Sequence, residues 1–334
     1  MSLIDQIQQI HPLILPALAI VCGIIALVYG AASFVESAAL LAKRLGVSTL
    51  VIGLTIVSFG TSAPEVMVSL SASLDRAGEI AVGNAIGSNI ANIGMVLGFT
   101  LLIARIPVEG SVVRQELPIL IAVTALAGFF LSDAVLTFTE SLILLLSVIP
   151  FLLFILTFKK EDQLQEAEEL ISDDHKPGWQ LALWLVIGFA LLIGGAESLV
   201  YGAERTALHF NVSPLIVGLT VVAIGTSLPE LAASIASAMK GHHDMAVGAI
   251  IGSNVFNLLL VLSLPGLFYQ LELESSVFTR DFLSMAVFTL SLALVCLLTM
   301  FFRSSRQEKL IQLTWPFGIV LLAGYLGYCA LLVI

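Results

Sequence analysis

Two short peptides concentrate the chemistry of this chain. Ser58-Phe59-Gly60-Thr61-Ser62-Ala63-Pro64-Glu65 and Ala223-Ile224-Gly225-Thr226-Ser227-Leu228-Pro229-Glu230 each hold hydroxyls, a proline and one carboxylate inside an apolar stretch. Proline has no N–H and clashes with the carbonyl four residues back, so backbone oxygens around Gly60 and Gly225 are expected to lose their helical donors. Glycine tolerates the unwound backbone this implies. In lipid, freed carbonyls persist only beside protein, water or a cation. A Pro-Gly break by itself is also how an ordinary membrane-helix kink reads. The glutamates weigh against that reading, because a charge at a helix centre costs roughly 2.5–3.5 kcal/mol on insertion scales. Here the cost is carried twice, with no Arg or Lys in either stretch.

Further oxygen donors follow each peptide. Ser88 and Asn92, like Ser253 and Asn257, are spaced i, i+4 and share a helix face. Their recurrence beside both glutamates favours a shared site over simple helix packing. Gly83 with Gly87, and Gly248 with Gly252, form GxxxG pairs that let backbones approach. For Asn89 and Asn254 both readings stay open. The inventory of carboxylates, hydroxyls, amides and carbonyls suits a hard cation such as Ca2+, which takes six to eight oxygens, or Na+. Zn2+ and copper prefer nitrogen or sulfur. The histidines (His11, His175, His209, His242, His243) fall at span ends or in loops, with His242-His243 read as a solvated pair. Cys22, Cys296 and Cys329 lie in apolar segments without a CxxC and read as small buried hydrophobes.

The elements that must position these groups are long apolar blocks. Of 334 residues 58% are hydrophobic and only 11% charged, too little polar surface for a water-soluble fold. Blocks such as 136–158 and 282–302 match a bilayer core of about 30 Å, which gives an all-α membrane protein. Ten spans are expected, at 12–41, 48–74, 79–104, 116–132, 136–158, 179–204, 212–239, 244–268, 281–302 and 312–334. The start of the chain lacks the basic residues of a cleavable signal, so the first block is expected to remain a span.

The spans fall into two copies. At an offset of 165, residues 53–97 and 218–262 are identical at 20 of 45 positions without a gap. The expected units are 1–158 (first five-helix repeat), 159–178 (a loop with seven acidic residues) and 179–334 (second repeat). An odd number of spans per copy inverts one copy relative to the other, a common plan for secondary transporters with a midplane site. With ten spans, eleven Lys and Arg fall in loops on one side and three (Arg76, Arg205, Arg280) on the other. This places the acidic loop in the cytoplasm and both termini outside it.

The peptides GTSAPE and GTSLPE, followed by GSNIAN and GSNVFN, resemble the paired α-repeats of the sodium/calcium exchanger family in its short prokaryotic form. The resemblance covers essentially the whole chain. It implies an inverted 5+5 fold in which Glu65 and Glu230 are shared by Ca2+ and Na+. Thr61, Ser62, Thr226 and Ser227 would add hydroxyl or carbonyl oxygens, Ser58 and Ala223 backbone carbonyls, and Ser88, Asn92, Ser253 and Asn257 the remaining side chains. Some relatives carry Asp where this chain has Asn257. Glu36, Glu140 and Glu197 lie toward span ends, where a carboxylate can snorkel to the interface. Glu197 sits where the family often has an acid.

The resulting expectation is Na+-driven Ca2+ antiport in an inner membrane, with small cations and lipid as partners. No nucleic acid and no resident cofactor are expected. Ca2+/H+ exchange on the same fold is the near alternative, since two carboxylates can also carry protons. A passive channel fits the duplicated midplane carboxylates less well, and no GxSxG or HExxH signature points to an enzyme.

Overall fold

A computed structural model describes residues 13–158, 177–210, 223–303 and 310–333. Helix α1 (Ile14–Leu45) is followed by the bent pair α2 (Thr49–Thr61) and α3 (Ala63–Leu74), whose axes differ by 44°. Then come α4 (Gly78–Ile103), strand β1 (Ile106–Glu109), α5 (Gly110–Leu131), strand β2 (Val135–Leu136), α6 (Phe138–Ile155) and α7 (Gly178–Ala207). The short α8 (Ala223–Thr226) and α9 (Leu228–Met239) precede α10 (His243–Phe268), strand β3 (Leu271–Glu272), α11 (Val277–Phe301), strand β4 (Leu310–Leu313) and α12 (Trp315–Leu332). Among the described residues, eight helices are long and apolar enough to cross a membrane, and nine if the bent pair counts as one span. The expected span 212–239 is represented by α8 and α9, its residues 212–222 lying outside the described residues, as does most of the acidic loop.

Burial identifies the centre. The most apolar windows of α4 and α10 are 78% and 94% buried, against 44% or less for every other spanning helix. Their fully enclosed Ile86, Ile90, Ile93, Leu258 and Leu259 form the middle of the core. The other helices are apolar all round because they meet protein on one face and lipid on the other.

Helices α1 and α7 lie antiparallel and touch at glycine. A Cβ at Gly23 would stand 2.7 Å from the Leu199 nitrogen, and one at Gly188 2.6 Å from that of Phe34. Likewise Gly30 meets the Leu192 nitrogen and Gly195 the Leu27 nitrogen, each at 2.7 Å. Each contact has its mate 165 residues away. Helix α1 ends at Gly46, whose left-handed φ of 64° suits glycine.

Two antiparallel ribbons join distant loops: β1 with β4 (Ile106 opposite Leu313) and β2 with β3 (Leu136 opposite Leu271). The apolar blocks gave no sign of them. Some expectations need correction. Cys22 is exposed, not buried. His243 opens α10 with a buried Nδ1, and His242 is half-buried, so the pair is not simply solvated. Burial, then Lys240, lowers the His242 pKa.

Candidate functional site

Both glutamate peptides fold in the same way. Helix α2 ends at Thr61, Ser62 takes φ −81° and ψ 7°, and α3 starts anew with Pro64 in its first turn. Ser227 has φ −88° and ψ 4°, and α9 starts with Pro229 likewise placed. In the first turn of a helix the missing proline N–H costs little. The break therefore sits at the serines and not at Gly60 and Gly225, which keep right-handed backbone. Those glycines serve close packing instead: a Cβ at Gly60 would lie 3.2 Å from Phe34, and one at Gly225 would collide with Val200. Restarting the helix also puts Glu65 and Glu230 in the first turns of α3 and α9, where exposed N–H groups and the helix dipole favour a negative charge.

The two carboxylates are buried, at 1% and 4% exposure, and interact electrostatically with each other. Ser62 Oγ donates to Glu230 Oε1 at 3.1 Å, a contact from the first copy to the second, and Thr61 lies beside the same carboxylate. Ser88 lies beside Glu65. Ser253 Oγ donates to the Ser58 carbonyl at 3.4 Å, which also accepts the Ser62 N–H at 3.0 Å. The structure thus brings Ser58, Thr61, Ser62, Glu65, Ser88, Glu230 and Ser253 into direct relation. Asn92, Ser227 and Asn257 are buried on the same elements without a direct bond to either glutamate. Thr226 is half-exposed, and Ala223 is the first residue of α8.

Several polar atoms are left open. Neither Glu65 oxygen makes a well-formed hydrogen bond, and Glu230 Oε2, Asn92 Oδ1, Asn257 Oδ1 and Ser227 Oγ have no partner. Buried polar atoms are normally satisfied, and buried carboxylates normally have a cationic partner. A cluster of open oxygens around two carboxylates is what a dehydrated cation requires.

The arrangement includes features not read from the sequence. Asn254 bridges the copies: its Oδ1 accepts from Asn92 Nδ2 at 3.3 Å and its carbonyl from Asn89 Nδ2 at 3.1 Å. Asn254 therefore orients Asn92, leaving its oxygen free. Asn84 Nδ2 donates to the Glu65 carbonyl at 3.0 Å and to Ser69 Oγ at 2.9 Å. Wide π turns begin at Asn92 and at Asn257, equivalent positions of the two copies; such turns often mark functional sites. Gly248 and Gly252 do admit close backbone, with a Cβ on either 2.7 Å from the Leu50 and Leu54 carbonyls respectively, while Gly83 and Gly87 meet nothing within 4 Å among the described residues. The remaining acids have other surroundings. Glu36 pairs with Lys240 at 2.7 Å, Glu140 forms a capping box with Thr137, and Glu197 is exposed.

A model of the sodium/calcium exchanger protein family matches residues 15–158 and 180–334. The chain belongs to this family. It is a multi-pass membrane protein of a transporter family. It is 37% identical over 319 residues to inner membrane protein YrbG of Escherichia coli, covering 94% of this chain and 95% of that protein. It is 30% identical to the sodium/calcium exchanger MaX1 of Methanosarcina acetivorans, covering 94% and 97%. The solved sodium/calcium exchanger of Methanococcus jannaschii superposes with a TM-score of 0.79 at 29% identity, over 95% of this chain and 98% of that one. That exchanger has been solved in crystals soaked with Na+ together with Ca2+ or Sr2+.

Proposed function

We propose that the chain is a secondary antiporter that exchanges Ca2+ for Na+ by alternating access at a midplane site built around Glu65 and Glu230. The observation that carries this reading is the buried carboxylate pair, supplied by both copies and surrounded by open oxygens. Thr61, Ser62, Ser88, Asn92, Thr226, Ser227, Ser253 and Asn257, with the carbonyls of Ser58 and Ala223, complete the ligand set. Ca2+, two Na+ or two protons would each neutralise the pair. A site that one kind of charge must always fill suits exchange better than free passage.

The ten-span plan, with two inverted five-helix repeats at 1–158 and 179–334, draws support from the mated contacts of α1 and α7. Two copies of one helix, antiparallel and meeting through equivalent residues, are what a twofold axis in the membrane plane produces. The cytoplasmic placement of the 159–178 loop follows from the charge bias. The test is Ca2+ uptake into vesicles holding the purified protein, first under an imposed Na+ gradient and then under a pH gradient. Uptake driven by Na+ alone is expected. Uptake driven only by protons assigns the Ca2+/H+ alternative, and uptake that neither gradient drives overturns antiport.

A further inference from the structure

Beyond the glutamates, the buried faces of α3 and α9 differ. On α3, Ser69 and Ser73 follow Glu65 at one and two turns and are fully enclosed. Their hydroxyls are used: Ser69 Oγ donates to the Ala81 carbonyl at 3.3 Å and accepts from Asn84, and Ser73 Oγ donates to the Ser69 carbonyl at 2.6 Å. On α9, Ser234 and Ser237 follow Glu230 at i+4 and i+7, on one helix face. They are 1% and 0% exposed, yet neither hydroxyl has a partner. The sequence explains part of the difference. At the 165-residue offset Ser69 corresponds to Ser234, but Asn84 corresponds to Ala249, which has no amide to donate.

With Glu230 Oε2 also unpartnered, three open oxygens run down α9 for about 10 Å. The helix stops at Met239, just before Lys240 and His242, where the His242 N–H donates to the Ser237 carbonyl at 2.9 Å. An enclosed hydroxyl without a partner is unfavourable and calls for an explanation. A cation leaving water for a carboxylate pair needs intermediate oxygens. Hydroxyls not already committed to the backbone can supply them, whereas those of Ser69 and Ser73 are committed.

We propose that Ser234 and Ser237 line the path by which the cation passes between Glu230 and the face of the protein bearing Lys240 and His242. The proposal rests on the reading that Glu65 and Glu230 hold the cation.

Two measurements test it. Ser234→Ala and Ser237→Ala each remove a passing contact, so maximal Ca2+ exchange falls by about tenfold. The melting temperature does not fall, because no hydrogen bond is lost. Ser237→Cys, in a chain whose Cys22, Cys296 and Cys329 are replaced by Ala, reacts with a membrane-impermeant thiol reagent from the Lys240 side only. Exchange within about twofold of the unmodified protein in both alanine variants, or labelling absent or from the opposite side, overturns the path. Exchange abolished by Glu65→Gln but untouched by both serine variants overturns the path while leaving the glutamate site standing.

Discussion

At Glu65 and Glu230 the charge and its surroundings set the argument. Each carboxylate is enclosed, and no Lys or Arg occupies its helix. The helix N-termini offset part of the cost of burial, and on the proposed function bound cations or protons offset the rest. Glu65→Gln or Glu230→Gln keeps the shape and removes half the charge. Removing one partner of a buried ion pair costs about 3–5 kcal/mol, so Ca2+ affinity should fall by more than about a hundredfold. The rise in melting temperature that Ca2+ gives the unmodified protein should vanish with it, and near-normal uptake by either variant would remove both residues from the site. At Asn257 both side-chain polar atoms are open. Asn257→Asp should add a third negative charge there, tighten Ca2+ binding by about tenfold and slow release. Affinity and maximal rate, compared with the unmodified protein, decide this. Unchanged values make Asn257 a packing residue.

Elements explain what the residues alone did not. The glutamates, hydroxyls and asparagines were legible because duplication repeats them at fixed spacing, and polar groups stand out in apolar sequence. The role of Gly60 and Gly225 was misread, because local rules treat glycine as permissive backbone while the fold uses it for contact with Phe34 and Val200. The π turns at Asn92 and Asn257 and the two ribbons depend on distant partners, which a uniformly apolar block does not encode. The glycine contacts of α1 and α7 were also hidden, although every glycine was in view. They make a sharp prediction. Gly195→Leu would drive a side chain into the backbone of Leu27, and overpacking of this kind costs about 1–3 kcal/mol. A melting temperature lower by roughly 1–2 °C per kcal/mol for a chain of this size should accompany lost transport. The adjacent Gly194 has nothing within 4 Å among the described residues, so Gly194→Ala should leave both quantities unchanged. Equal damage from both variants would overturn contact with Leu27 as the cause, since both substitutions raise helix propensity.

For the whole molecule, the ribbons constrain how many times the chain crosses the membrane. Since β1 and β4 are hydrogen-bonded partners, residues 106–109 and 310–313 lie on one side. Between them run α5, α6, α7, α10 and α11, five full-length spanning helices. Five crossings would leave the strands on opposite sides, so the segment that holds α9 has to provide a sixth. The second ribbon gives the same answer independently. Between β2 and β3 lie α6, α7 and α10, an odd number that again needs α9 to complete it. With that crossing added the count would be the proposed ten, and the loops joined by β1–β4 are those richer in Lys and Arg. On the proposed orientation, the positive-inside rule would put this ribbon in the cytoplasm and, one crossing later, the C-terminus on the far side. Reporter fusions after Ile334 should be active only as a periplasmic enzyme, and fusions near Asp173 only as a cytoplasmic fluorophore. A cysteine at Gln312 should label from the cytoplasm, and one at Val135 from outside. If the C-terminus proves cytoplasmic while Gln312 also labels from the cytoplasm, α12 does not cross. The chain would then have nine spans, and its two halves could not be complete inverted copies.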